Sequence, residues 1–155
     1  MVRVNLKNRD DVGGAFDELS GKGIRLEGFL VQEMVEGRRE FVIGLTRDPQ
    51  FGPSVMFGLG GIFTEAMKDV SFRVAPLSED DAREMIGEIR AAKLLDAFRG
   101  EKAVDREILV RALVGIGHLG MKHEEIAEID INPLIIRDGK PIAVDALVIL
   151  KAHRA

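Results

Sequence analysis

The sequence predicts an α+β fold, a mixed or antiparallel sheet packed by helices, in one domain over residues 1–155. Three observations predict it. Short runs in the first half alternate apolar and polar residues with the period of a strand. Two later stretches, behind Ser78 and behind Asp105, place apolar residues at helical spacing after a capping residue. The chain then runs into a hairpin centred on Asp138-Gly139, a pair that suits a turn with positive φ at both central residues.

The elements follow in order. Residues 2–6, V-R-V-N-L, read as a strand. Asn8 caps a helix through Leu19, with Val12, Ala15, Phe16 and Leu19 on one face. Gly13-Gly14 weakens that helix by about 1 kcal/mol per glycine. Residues 26–35, LEGFLVQEMV, read as a mostly buried strand, and residues 39–47 return after a Glu36-Gly37-Arg38 turn. Residues 54–58 and 69–75 form two further strands, the second with Val70, Phe72 and Val74 facing inward. Ser78 with the acids Glu79, Asp80 and Asp81 opens a helix that buries Ala82, Met85, Ile86 and Ile89. Residues 91–98 form a short helix or turn. Asp105 caps a longer helix whose apolar stripe is Ile108, Leu109, Ala112, Leu113 and Ile116.

The bulk composition excludes several classes. The net charge of −4 implies no general affinity for nucleic acid or anionic membrane. No run is long and apolar enough to span a bilayer, and the start has no apolar signal-peptide core. With no cysteine, disulfides and thiolate metal sites are out of reach, and a reducing cytoplasmic location is expected.

The chemistry concentrates in residues 128–149, EIDINPLIIRDGKPIAVDALVI. If Asp138 and Gly139 are the loop, Arg137 faces Lys140, and counting back puts Asn132 opposite Asp145. Asp130 precedes Asn132 by two and shares its sheet face. Carboxylate and amide oxygens gathered this way are hard ligands, suited to Mg²⁺ or Mn²⁺ with a phosphate completing the shell. The same side chains would also make the wet face of an amphipathic hairpin, and spacing alone does not choose. Pro133 lacks the N–H that a ladder needs, so a bulge or an edge is expected there.

Other candidates are weaker. Gly58-Leu59-Gly60-Gly61 would let backbone N–H groups approach a phosphate, or simply make a tight turn. Glu65 follows it. Glu33, Met34 and Val35 end a strand and offer backbone groups to a base edge, and Glu40 opens the next strand. His118 and His123 fit no zinc spacing, and no serine has a triad partner.

Taken together, LVQEMVEGRREFVIGLTRDPQFGPSVMFGLGGIFTEAMKDVSFRVAPL, EIAEIDINPLII and AVDALVI resemble the ATP-grasp domain of ADP-forming acyl-CoA synthetases. The acetate–CoA ligase β subunit is the nearest type, and the succinyl-CoA synthetase β subunit a more distant one. DPQFGP, FGLGGIF and DINPL in that order form a specific combination. The resemblance implies the C-terminal ATP-grasp subdomain with part of the one before it. It implies Asn132 and Asp145 as Mg²⁺ ligands with Asp130 beside them, although the distant type carries Glu at that place. It further implies adenine contacts from Glu33 and the backbone of Met34 and Val35, and a ribose or phosphate-side contact from Glu40. Gly60, Gly61 and Glu65 would lie toward the phosphates.

The family's phosphate lysine and phosphate-relay histidine have no counterpart here, so the chain is expected to be inactive alone. The implied reaction is acid + CoA + ATP ⇌ acyl-CoA + ADP + phosphate through a phosphohistidine on a CoA-binding partner subunit or domain. A homo- or hetero-oligomer is compatible with this. Two alternatives stay open: a non-catalytic ATP-grasp fragment serving as an assembly surface, and an ATP-grasp ligase joining a carboxylate to an amine.

Overall fold

The computed structural model describes residues 1–61 and 68–152. They fall into two compact units, Met1–Met34 and Val35–Ala155.

In the first unit, Asn8 caps helix α1 (Arg9–Ser20) by accepting the Asp11 N–H at 2.9 Å. The Phe16 ring packs on Phe29 with centroids 4.5 Å apart. The strands expected over residues 2–6 and 26–35 do not form. Apart from Val35, their apolar residues lie in the open, Val2 at 77% and Leu30 at 86% exposure. Alternation makes a segment capable of pairing, but a strand exists only where a neighbour's ladder takes up its backbone groups.

The second unit is a sheet covered on one face by helices. Its strands are β1 (Glu40–Asp48), β2 (Gly52–Leu59), β3 (Val70–Val74), β4 (Ile126–Arg137), β5 (Lys140–Ala143) and β6 (Leu147–Leu150). They pair antiparallel in the order β3-β2-β1-β4-β5, with β6 also on β4, beyond the end of β5. Helices α2 (Glu79–Glu88) and α3 (Arg106–Lys122) cover one face, with a 3₁₀ turn at Arg90–Leu95 between them. A capping box at Ser78 and Asp81 starts α2, and the Asp105 carboxylate accepts the Glu107 and Ile108 N–H groups at the head of α3. Asp69 is buried with its carboxylate on the Arg90 and Ala91 N–H groups, both at 2.7 Å, which caps the 3₁₀ turn. Among the described residues no helix is long and apolar enough to cross a membrane.

The core follows strand parity. Phe41, Ile43 and Leu45 of β1, Val55 and Phe57 of β2, and Ile129, Leu134 and Ile136 of β4 meet Met85, Ile86, Leu109 and Leu113. The rings of Phe41 and Phe57 stack at 5.6 Å. Strand β3 reverses the expected facing. Ser71 is the buried residue, its hydroxyl donating to the Met85 carbonyl at 2.9 Å, while Phe72 and Val74 are 49% and 48% exposed. The period was right and the side was wrong, because a hydroxyl with a carbonyl partner buries at little cost.

The hairpin takes the expected register, Arg137 opposite Lys140, with φ of 53° at Asp138 and 83° at Gly139. A Cβ on Gly139 would lie 2.5 Å from the Ala103 carbonyl oxygen. Gly139→Ala is therefore expected to lose roughly 1–2 kcal/mol to the left-handed backbone alone, with the clash in addition. Urea denaturation checks this, and an unchanged midpoint would refute it. Pro133 sits at the expected irregularity. Phe41 pairs with Leu134 but Ile43 pairs with Ile131, so β4 carries one extra residue there.

Candidate functional site on the open sheet face

The face away from the helices is built of rows that cross the strands. One row runs Val74, Ser54, Thr46, Glu128, Ile149. The next runs Phe72, Met56, Gly44, Asp130, Leu147. Acidic residues on β4 therefore lie in a trough between an apolar bank on β2–β3 and another on β6. An open cavity of about 600 Å³ occupies this trough, lined in part by Gly44, Met56, Phe72, Glu128, Asp130 and Asn132.

Asp145 lies in the gap between β5 and β6. Leu134 pairs with Ala143 on one side of the gap between β5 and β6, and Asp130 pairs with Leu147 on the other. Counting inward from either side brings Asn132 opposite Asp145. Within the gap the Val144 N–H donates to the Pro133 carbonyl at 3.2 Å, which keeps the two segments in step. The β4 bulge takes in Asn132 and Pro133, which together oppose Val42, and Glu128, Asp130 and Asn132 line the same cavity.

The electrostatics agree with this placement. Burial pushes the Asp130 carboxyl above the usual carboxylate range, and the negative charges of Glu128 and Asp145 push it further. Carboxylates that repel one another in this way favour a cation. Among the described residues no three His, Cys, Asp or Glu side chains stand close enough to hold an ion by themselves. An ion here would need the Asn132 amide and oxygens from a ligand, which suits Mg²⁺ with a phosphate chain.

The other candidates divide. Glu40 shares the open face with Val42 and Gly44, and its carbonyl accepts the Gly60 N–H at 2.8 Å. Gly60 presses on the Phe41 backbone, where a Cβ would lie 2.7 Å away. Its amide is thus committed to the turn and does not point at a ligand. Gly61, at φ 70°, lies against the Glu40 carboxylate. Glu65 lies outside the described residues. Glu33 and Met34 belong to the first unit, while Val35 is buried in the second. His123 pairs with Glu125 at 3.0 Å.

Reasoning from sequence missed Glu128, Met56 and Phe72. The signal for Glu128 was present, since E-I-D-I-N extends the period-two series by one step.

Residues 1–150 match the ATP-grasp domain family. The chain belongs to the ATP-grasp family. It is 46% identical to subunit beta of the ADP-forming acetate–CoA ligase I of Pyrococcus furiosus, over 96% of this chain and 67% of the relative. It is 39% identical to the ADP-forming acetate–CoA ligase I of Archaeoglobus fulgidus, over 96% of this chain and 22% of that longer protein. A solved structure of the dinucleotide-forming acetyl-CoA synthetase 1 of Ca. Korarchaeum cryptofilum, in complex with coenzyme A and Mg-AMPPCP, superposes with a TM-score of 0.86. Its identity is 51%, over 96% of this chain and 67% of that one. The α+β ATP-grasp fold is thus the one its relatives share. The chain spans about two thirds of the separate β subunit and about a fifth of the longer ligase.

Proposed function

We propose that this ATP-grasp chain is the nucleotide- and Mg²⁺-binding part of an ADP-forming acid–CoA ligase. The whole enzyme would interconvert acid, CoA and ATP with acyl-CoA, ADP and phosphate through a phosphohistidine supplied by a CoA-binding partner. One observation carries the reading: Asp130 and Asn132 line one open cavity, and burial together with the charges of Glu128 and Asp145 raises the Asp130 carboxyl. The relatives add support, one being a subunit of an acetate–CoA ligase and another a synthetase in complex with coenzyme A and Mg-AMPPCP.

Asn132 and Asp145 hold the ion, with Asp130 beside them. Bound Mg²⁺ would neutralise the nucleotide phosphates and align them for in-line transfer. Glu33 and the backbone of Met34 and Val35 take the adenine, and Glu40 the ribose or a phosphate-side contact. Gly61 and Glu65 border the phosphates, and Gly60 acts through the shape of the turn. The apolar banks on either side of the acidic trough exclude water from the transferring group. Lack of cysteine suits a reducing compartment, and we place the protein in the cytoplasm.

The test is acid-dependent ADP formation. The chain alone is expected to bind Mg-ADP without turnover. Activity is expected when the CoA-binding subunit and a polypeptide bearing the family's phosphate lysine are added. No heat with Mg-ADP, or no activity in the full mixture, would overturn the reading.

The raised Asp130 carboxyl sets a pH dependence. Because its folded pKa lies above the unfolded one, its stabilising contribution is complete below the unfolded pKa. It is lost as pH rises through the folded pKa. Metal-free protein should therefore give up this contribution as pH rises through the raised pKa of the Asp130 carboxyl, whereas Mg²⁺ needs the ionised form. Magnesium is expected to raise Tm at pH 8 and to do so less at pH 5. Asp130→Asn should flatten that difference. Thermal melts with and without Mg²⁺ check it, and equal Mg²⁺ shifts at both pH values would contradict it.

A further inference from the structure

Where β1 begins and β4 ends, a second cavity opens. It has about 500 Å³ and shares no lining residue with the trough. Three segments wall it: the turn before β1, the loop at residues 100–102 and the hairpin end of β4. They are fastened to one another. Gly37 lies so close to β4 that a Cβ would stand 2.5 Å from the Ile136 carbonyl oxygen. The Arg39 carbonyl accepts the Ile136 N–H at 2.9 Å, and the Gly139 carbonyl accepts the Asp105 N–H at 2.7 Å. The Lys102 Cβ comes within 3.4 Å of where a Cβ on Gly139 would be.

The charge here runs against that of the whole chain, which is −4. Arg38, Lys102 and Arg137 line the cavity, and Lys140 stands directly opposite Arg137 in the hairpin. Like charges in a cross-strand pair repel and weaken the hairpin that carries them. Arg39 lines the cavity as well. It is buried and its charge is matched by the Glu101 carboxylate, yet its Nε–H is aligned on no acceptor. A buried N–H left that way is costly, and an oxygen entering the cavity would serve it.

We infer that this cavity binds the phosphate group of a small metabolite, at a site separate from the nucleotide trough. With Arg39 matched by Glu101, the four cations Arg38, Lys102, Arg137 and Lys140 meet two acids, Glu36 and Asp138. The surplus of two positive charges suits a phosphate, which carries about −1.5 to −2 near neutral pH. Two of the cations are arginines, whose planar forks take phosphate oxygens in pairs. The volume falls within the roughly 300–1,000 Å³ of small-molecule sites, so the phosphate and the group that carries it both have room. A bound phosphate would join the three segments and offset the repulsion between Arg137 and Lys140. The same chemistry belongs to the free phosphate ion and to a phosphate monoester.

The experiment titrates the whole chain, free of Mg²⁺, with inorganic phosphate and with glycerol 3-phosphate at an ionic strength held constant with chloride. Calorimetry reads the affinity, and backbone amide NMR signals read the place. Binding is expected to move the signals of Arg38, Lys102 and Asp138 and to leave those of Asp130 and Asn132 where they were. The double variant Arg38→Gln with Lys102→Gln changes two exposed side chains. It should bind either probe at least tenfold more weakly and keep the Mg-ADP affinity of the parent chain. Tighter binding of glycerol 3-phosphate assigns the site to a phosphate ester, and tighter binding of inorganic phosphate assigns it to the free ion. No heat with either probe overturns the proposal. So does binding that the double variant retains, or binding that moves the Asp130 and Asn132 signals instead. Loss of Mg-ADP binding in the parent chain would defeat the nucleotide reading and leave this one standing.

Discussion

Asp145→Ala is expected to lower the affinity for Mg-ADP at least about 100-fold and to leave the fold intact. Loss of outer-shell partners already costs 10–100-fold at metal sites, and a direct ligand should cost no less than the upper figure. The position makes the experiment clean. Asp145 is exposed and lies in the gap between β5 and β6, where its carboxylate accepts the N–H of its own neighbour Ala146 at 2.9 Å. Little stability depends on it, so a weaker complex reads as lost coordination. The substitution also removes one of the charges that hold the Asp130 carboxyl up, so the free protein should become less sensitive to pH. Glu128→Gln is the useful contrast. Glu128 raises Asp130 from the same face but is not a proposed ligand, and it should weaken binding less than tenfold. Calorimetry with Mg-ADP separates the two. Equal heats for Asp145→Ala and the parent chain would end the metal assignment.

The hairpin that carries this site was legible because its constraints are local. Asp138-Gly139 sets the turn, and the turn sets the pairs down both arms as far as Glu128 and Ile149, where the register shifts. Even the bulge has a trace in the sequence. Core residues fall at Ile129 and Ile131, then at Leu134 and Ile136, a step of three where alternation gives two. Pro133 stands at the slip. The helices were legible for the same reason, since Ser78 and Asp105 cap within one turn.

What failed to show depends on partners distant in sequence. Val70, Phe72 and Val74 display a period, but a period does not say which face meets the helices. That is decided by Ser71 and the Met85 carbonyl fourteen residues on. Residues 2–6 and 26–35 have strand character without a pairing neighbour. Gly60 shows the limit of glycine motifs. Its sequence context allowed a phosphate cradle or a turn, and the Glu40 carbonyl chose the turn.

Arg39 is the residue no motif would have singled out, and its removal should have the largest effect on stability. It precedes Glu40 at the start of β1 and is only 6% exposed. Its guanidinium donates to the carbonyls of Leu94, Asp96 and Lys102, at 2.9, 3.2 and 2.6 Å. Its Nε lies 2.7 Å from the Glu101 carboxylate, but the N–H is not aligned on it, so that contact is ionic more than directed. One side chain thus closes the loop after the 3₁₀ turn onto the start of the strand that carries Glu40. Arg39→Met keeps much of the volume and strands three carbonyls and a carboxylate. Leaving a buried acceptor without its donor costs about 1–3 kcal/mol, and three such carbonyls lose theirs at once. Glu101→Gln should cost far less, since Glu101 is 31% exposed at its side chain and water can replace it. The double variant Arg39→Met with Glu101→Leu should recover part of the loss, as no lone charge remains. Urea denaturation of the three variants measures this coupling. An Arg39→Met cost below about 1 kcal/mol, the scale of a surface pair, would show that the loop is held by its apolar residues and not by this guanidinium.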